Sequence, residues 1–172
     1  MESRYVINNT FELRSIKPDE AEEAILVEQT CFPPHEVCSP DNMRERISLA
    51  PDLFLVAIDV KSGKMAGTLN GLSTGEKIFR DEFFVEAGLY DSEGENVMLL
   101  GLDVLPEYRR MGLANALVHE YIQREKKNGR KKLILTCLEE KIKMYRKMGF
   151  TDLGPANSTW GGEQWHEMVY TI

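Results

Sequence analysis

The chain has 172 residues, 42% of them hydrophobic and 28% charged, with a formal net charge of −7. That is the size and balance of one folded domain, residues 1–172. An acidic chain without a basic stripe excludes nucleic acid as an expected partner, and its longest clear apolar run, residues 97–102, is far short of the ~20 residues that span a bilayer, which excludes a membrane.

Residues 11–16 alternate apolar and polar, the period of a strand. Pro18 and Asp19 then open a helix with Ala21, Ala24, Ile25 and Val27 on its buried face, and Pro33-Pro34 stops it near Cys31-Phe32. A loop over residues 32–40 leads to a second helix, capped by Asp41, with Met43, Ile47 and Leu49 or Ala50 turned inward. Residues 53–59 and 65–72 read as two strands joined by the hairpin turn Lys61-Ser62-Gly63-Lys64. Residues 78–89 suit a helix with Phe79, Phe83, Phe84 and Ala87 on one side. Residues 97–104 are almost wholly apolar, as a central strand covered on both faces would be. Past Pro106, residues 112–127 form an amphipathic helix with Leu113, Ala116, Leu117, Tyr121 and Ile122 inward. The basic run 124–132 falls at its end, where cations complement the helix dipole. Residues 132–137 are a further buried strand, 139–148 a short helix closed by Gly149, and 150–153 and 164–171 two terminal strands around a turn at Gly161-Gly162. The order β-α-α-β-β-(α)-β-α-β-α-β-β predicts a single mixed α/β domain, one central sheet with helices on both faces.

Residues 1–4 lack the apolar stretch of a leader, so a cytoplasmic protein is expected. Cys31, Cys38 and Cys137 form no CxxC pair and no metal-ligand spacing with the three histidines; no metal is expected, and in a reducing compartment the thiols stay unpaired.

The segment Leu102-Asp103-Val104-Leu105-Pro106-Glu107-Tyr108-Arg109-Arg110-Met111-Gly112-Leu113-Ala114-Asn115 carries the chemistry. A buried strand ends, a turn with arginines and glycine follows, and a helix begins. Such a helix N-terminus offers unbonded N–H groups and a positive dipole end to a phosphate. Gly112 and Ala114 leave the backbone approachable, and Arg109 and Arg110 add positive charge suited to a diphosphate. The pattern is neither a P-loop nor GxGxxG.

Arg109-x-x-Gly112-x-Ala114, following Val104-x-Pro106, resembles the pyrophosphate-binding signature Arg/Gln-x-x-Gly-x-Gly/Ala of the GNAT N-acetyltransferase superfamily. Tyr145-Arg146-Lys147-Met148-Gly149-Phe150 resembles the YxKxGF ending of the same superfamily, in the same order and at a similar spacing. The resemblance implies a mixed, mostly antiparallel sheet of about seven strands splayed in the middle, with acetyl-CoA as cosubstrate in the splay. It implies that the backbone of Leu102, Asp103 and Val104 bonds the pantetheine arm. Arg109, Arg110, Met111, Gly112, Leu113, Ala114 and Asn115 would hold the pyrophosphate. Tyr145 would protonate the departing thiolate, as a phenol of pKa ~10 can for a thiolate whose acid has pKa ~8.5. Dimers are frequent in the superfamily, which makes a homodimer one expected assembly.

The loop at residues 31–40 and the insert before residue 97 bear a distant similarity to the arylalkylamine (serotonin) N-acetyltransferase branch. That branch has a histidine pair on the strand before the motif, where this chain has Met98 and Leu100, and Leu138 stands where many superfamily members have asparagine. Candidate replacement bases are Asp103, which alternation puts on the face opposite Leu102 and Val104, together with Glu28, Glu86 and His35, each of which is more simply read as a surface carboxylate or loop histidine. His119 and His166 are read as structural. Phe32, Pro33 and Pro34 would line the substrate pocket, with Phe83, Phe84, Trp160 and Trp165 as further aromatic surface, although core packing is the simpler role of the phenylalanines. An acidic, aromatic pocket favours a hydrophobic primary amine. The expected activity is transfer of acetyl from acetyl-CoA to a primary amine of a small molecule or peptide; the alternative is a non-catalytic acyl-CoA-binding module.

Overall fold

The computed structural model describes residues 5–172; residues 1–4, read above as lacking a leader, lie outside the described residues. Among the described residues one sheet gathers eight strands: β1 (Tyr5–Ile7), β2 (Phe11–Ser15), β3 (Phe54–Asp59), β4 (Met65–Thr74), β5 (Asn96–Val104), β6 (Lys132–Cys137), β7 (Thr151–Pro155) and β8 (His166–Thr171). Their order is β1-β2-β3-β4-β5-β6-β8-β7. The helices are α1 (Ala21–Cys31), α2 (Pro40–Leu49), α3 (Glu82–Val85), α4 (Leu113–Lys127) and α5 (Ile142–Lys147). No described helix is long and apolar enough to cross a membrane.

Every neighbouring pair of strands is antiparallel except β5 and β6, which α4 joins as a crossover. Period-two alternation sorts the side chains of β3 onto two cores. Leu55 and Ala57 face Leu113, Leu117 and Tyr121 of α4, while Phe54, Val56 and Ile58 face Ala24, Ile25 and Val27 of α1 and Met43 and Ile47 of α2. β4 runs through the middle with all ten residues buried, Thr68 and Asn70 included. It approaches its neighbours closely at Gly71. A Cβ there would lie 2.6 Å from the Met98 carbonyl, 2.9 Å from Val97 Cγ1 and 3.0 Å from the Tyr121 hydroxyl, which is itself bonded to the Leu53 carbonyl at 2.9 Å. Gly71→Ala is therefore expected to destabilise the protein by about 2 kcal/mol, the scale of overpacking in a dense core, seen as a lowered midpoint in urea unfolding with an unchanged slope.

Three details differ from the sequence expectations, and one open alternative is resolved. The sheet has eight strands instead of about seven, because β1 pairs with β2 through a tight turn in which Asn8 and Asn9 both take positive φ. The second helix is capped by Ser39, whose hydroxyl accepts from the Asn42 N–H, with Pro40 in its first turn and Asp41 beyond the cap. Of Leu49 and Ala50, the alanine is the buried one. Residues 78–89 give only the short α3 and a 3-10 turn, since Phe84 departs from the core line of Phe79 and Phe83 to stack on Trp160.

Candidate acyl-transfer site

The parallel contact between β5 and β6 lasts three residue pairs, Asn96 with Lys132, Val97 with Leu133 and Met98 with Ile134. Beyond them β5 follows β4 and β6 follows β8, and the sheet parts. A bulge deepens the split. Asn70 pairs with Gly101 and Gly71 with Leu99, so Leu100 is the extra residue and β5 bends there. The gap is a cavity of about 500 Å³. Leu99 to Leu102 and Val104 form one wall, and Leu135, Thr136, Cys137, Met144 and Tyr145 the other.

At one end the cavity meets the start of α4. Tyr108 fixes the loop before it by a hydroxyl bond to Asp59 at 2.8 Å and by an edge contact with Phe11, and Lys64 holds Glu107 at 2.6 Å. Arg109 and Ala114 line the cavity, and the Arg109 Nε–H donates to the Val104 carbonyl at 3.0 Å. Arg110 and Gly112 both take positive φ, 63° and 78°. Gly112 caps α4 without a side-chain bond, and the first helical bond is Ala116 N–H to Gly112 carbonyl. The N–H groups of Leu113, Ala114 and Asn115 thus lack intrahelical acceptors at the positive end of a 15-residue helix. The Leu113 side chain is core, so only its backbone faces this end.

At the other end the mouth is aromatic and acidic. Phe32, Pro33, Phe84, Trp160 and Trp165 line it with Glu36. Pro34 is not on the cavity wall; it is exposed. The Trp160 indole donates to the Glu36 carbonyl at 2.8 Å, its ring lies 4.8 Å from Phe84, and His35 Nε2 and Glu163 Oε1 are 3.3 Å apart. The loop after α1 and the turn before β8 are thereby clasped across the opening. The sequence gives no local sign of this clasp, since its partners stand more than a hundred positions apart.

The three thiols, all free, lie on the cavity wall. Burial raises each of them, Cys31 and Cys137 to about 11, with the Asp103 charge adding to Cys31 and Asp152 to Cys137. A thiol so raised is scarcely nucleophilic at neutral pH, which disfavours an acyl-cysteine intermediate. Tyr145 packs edge-on against Phe150 at 5.6 Å, and burial, then the Cys137 and Asp103 charges, hold its phenol well above the ordinary tyrosine value. It keeps its proton at neutral pH and so does not serve as a base.

Met98 is wholly buried in the core and Leu100 lies on the cavity wall, so neither position can accept a proton. Of the four candidate bases, Glu86 is exposed and off the wall, and His35 is exposed at the mouth. Glu28 and Asp103 are not surface carboxylates: both are buried, facing one another beneath Gly101. Arg46 and Asn70 are buried beside them and were not foreseen. The one sequence signal for Arg46 is its place between Met43, Ile47 and Ala50 on the apolar side of α2. His119 is exposed on α4, and His166 Nδ1 lies 3.2 Å from Asp152 Oδ1.

A model described as "Acetyltransferase (GNAT) family" matches residues 21–150. No curated protein sequence matches the chain. Among solved structures, the chain is similar to the loading GNATL domain of CurA from Lyngbya majuscula, at 14% identity over 94% of this chain and 97% of that one, with a TM-score of 0.79. It is similar to GphF, a GNAT-like decarboxylase in complex with isobutyryl-CoA, at 15% identity over 92% and 98%, with a TM-score of 0.76. It is similar to the ribosomal-protein-S18-alanine N-acetyltransferase from Escherichia coli, at 20% identity over 94% and 94%, with a TM-score of 0.70. At these identities the likeness establishes the shared fold.

Proposed function

Because the chain belongs to the acetyltransferase (GNAT) family, we propose that it is an acetyl-CoA-dependent N-acetyltransferase acting on a compact primary amine. The splay of β5 from β6 carries this reading, since it leaves a single cavity between an anion-binding helix end and an acidic, aromatic mouth. The fit to acetyl-CoA is chemical. The unbonded N–H groups at the start of α4, with Arg110 exposed beside them, suit a pyrophosphate. The β5 edge that β6 abandons has backbone groups free to bond an amide-bearing arm, and an N–H there would stabilise charge on an acyl oxygen. Leu102, Val104, Arg109, Arg110, Met111, Gly112, Ala114 and Asn115 would hold the cosubstrate, and Tyr145 would supply the proton that the leaving sulfur needs.

The clasp between Trp160 and Glu36 favours a small molecule over an extended polypeptide, because it bridges the two segments between which a chain would have to lie. Phe84 and Trp160 offer ring faces, and Glu36 and Glu163 negative charge, to an ammonium group. Trp160→Ala is expected to raise KM for an aromatic primary amine about 10-fold, the scale of one lost ring contact and hydrogen bond, with acetyl-CoA affinity unchanged in calorimetry. The free thiols suit a cytoplasmic setting.

The deciding experiment follows CoA release from acetyl-CoA across a panel of amines, peptides and aminoglycosides. Turnover with a small amine supports the reading. Tight CoA binding without turnover on any acceptor would instead support the acyl-CoA-binding module, which the apolar Met98 and Leu100 favour. A melting temperature unmoved by acetyl-CoA sinks both.

A further inference from the structure

Beneath Gly101 five polar side chains from four elements are almost fully buried: Glu28 on α1, Arg46 on α2, Thr68 and Asn70 on β4, and Asp103 on β5. Arg46 donates to Asn70 Oδ1 at 3.2 Å and to the Phe84 carbonyl at 2.8 Å, and it is the cation whose charge acts most on Glu28. The Cys38 N–H also favours the charged form of Glu28. Neither oxygen of Asp103, nor Asn70 Nδ2, has a well-formed hydrogen bond. Buried polar atoms left in this way call for a partner.

The partner's route is through Gly101. A Cβ at that position would stand 3.3 Å from Glu28 Oε1, 3.3 Å from Asp103 Oδ1 and 3.2 Å from Asn70 Nδ2. Any side chain would therefore cover the cluster, and glycine leaves it open to the cavity, whose wall includes both Gly101 and Glu28. Tyr145 lies on the opposite wall.

We propose that Glu28 is the general base that takes the proton from the acceptor ammonium, and that Asp103, which faces it beneath Gly101, is a positioning residue that keeps its own proton and turns it toward Glu28 when the ligand fills the cavity. Burial raises both carboxyls, Glu28 to about 7 and Asp103 well above the usual range, where the neighbouring Glu28 charge adds to burial. The groups facing Glu28 are Cys31 on its own helix, Cys38 in the following loop, Arg46, Asn70 and Asp103, with Arg109 beyond Cys31. Among them Arg46 keeps a Glu28 anion tenable, while the thiols stay neutral at physiological pH. The protons balance. The ammonium yields one to Glu28, and the nitrogen lone pair forms the C–N bond at the thioester carbon as the C–S bond breaks. The sulfur takes the Tyr145 proton, and the second nitrogen proton restores Tyr145. Glu28 then releases its proton to solvent, so one proton is produced per turnover.

This assignment rests on the acetyl-transfer reading, and measuring acetyl-CoA binding beside the rate separates the two. In Glu28→Gln the rise in melting temperature with acetyl-CoA should match the parent. Its kcat/KM for a primary alkyl amine at pH 7 should fall about 100-fold, and the loss should shrink toward pH 10 as free amine becomes abundant. The parent's acid limb near pH 7 should vanish. Asp103→Asn, whose amide can still donate to Glu28, should keep that limb and lose less than about 10-fold. A Glu28→Gln enzyme with the parent's rate and limb overturns the proposal. Should that variant fail to fold, carbon-13 NMR of the parent's carboxyl groups decides. A carboxyl titrating near neutrality supports the assignment, and titration of every carboxyl below pH 6 overturns it. A parent that neither binds acetyl-CoA nor acetylates any amine removes the acetyl-transfer reading itself, and this assignment with it.

Discussion

Gly112→Glu is expected to weaken acetyl-CoA binding by about 1,000-fold, measured by titration calorimetry on the folded variant. The position has φ of 78°, and a Cβ built there meets no atom of the protein within 4 Å. The chain's own packing therefore does not demand glycine. What demands it is the left-handed turn and the open approach to the N–H groups of Leu113, Ala114 and Asn115. A carboxylate at this point puts like charge where a pyrophosphate would sit and displaces at least two charge-assisted hydrogen bonds, each worth about 1.5–3 kcal/mol. About 4 kcal/mol is the corresponding thousandfold loss. Gly112→Ala separates the two causes: it should lower stability by about 1 kcal/mol for the left-handed backbone while sparing most of the affinity. If the glutamate variant binds as the parent does, the loop is not the phosphate site.

Tyr145→Phe should lower kcat between about 100- and 1,000-fold and leave acetyl-CoA affinity nearly unchanged. The variant keeps the ring and its edge contact with Phe150, so packing is not at issue. It removes the proton that burial holds on the phenol, the one the proposed step passes to the departing sulfur. A low-pKa thiol ester analogue gives the internal check. Its leaving group needs less protonation, so the difference between parent and variant should narrow. Equal rates on acetyl-CoA would take Tyr145 out of the chemistry.

The parts of the fold set by local rules were legible. Pro106 and Gly112 bracket a loop because one restricts and the other frees the backbone, and the structure starts α4 one residue after Gly112. The apolar run at residues 97–104 became β5, flanked by β4 and β6. Two further local signals stand in the sequence: Asn8-Asn9 marks the turn of the β1–β2 hairpin, and Ser39-Pro40 is a better helix start than Asp41. The cluster around Glu28 was illegible for a physical reason. Charged residues 18, 57 and 75 positions apart look like separate surface groups, and only the crossing of α1, α2, β4 and β5 gives them one dry compartment. The extra residue at Leu100 was equally hidden, because a bulge depends on the register of a partner strand.

The brevity of the β5–β6 contact also bears on how an enzyme built this way would let go of its products. Opening the cavity requires parting three parallel residue pairs, whereas the ladders on either side are longer and antiparallel. The seam is the compliant joint of the sheet, and its low local stability permits breathing without disturbing either half. On the proposed activity the amide product is bulkier than the amine that enters, and the clasped mouth at Trp160 narrows the way back. Turnover would then be paced by the yielding of this joint as much as by proton transfer, so that stiffening the seam would slow the enzyme while making it harder to melt.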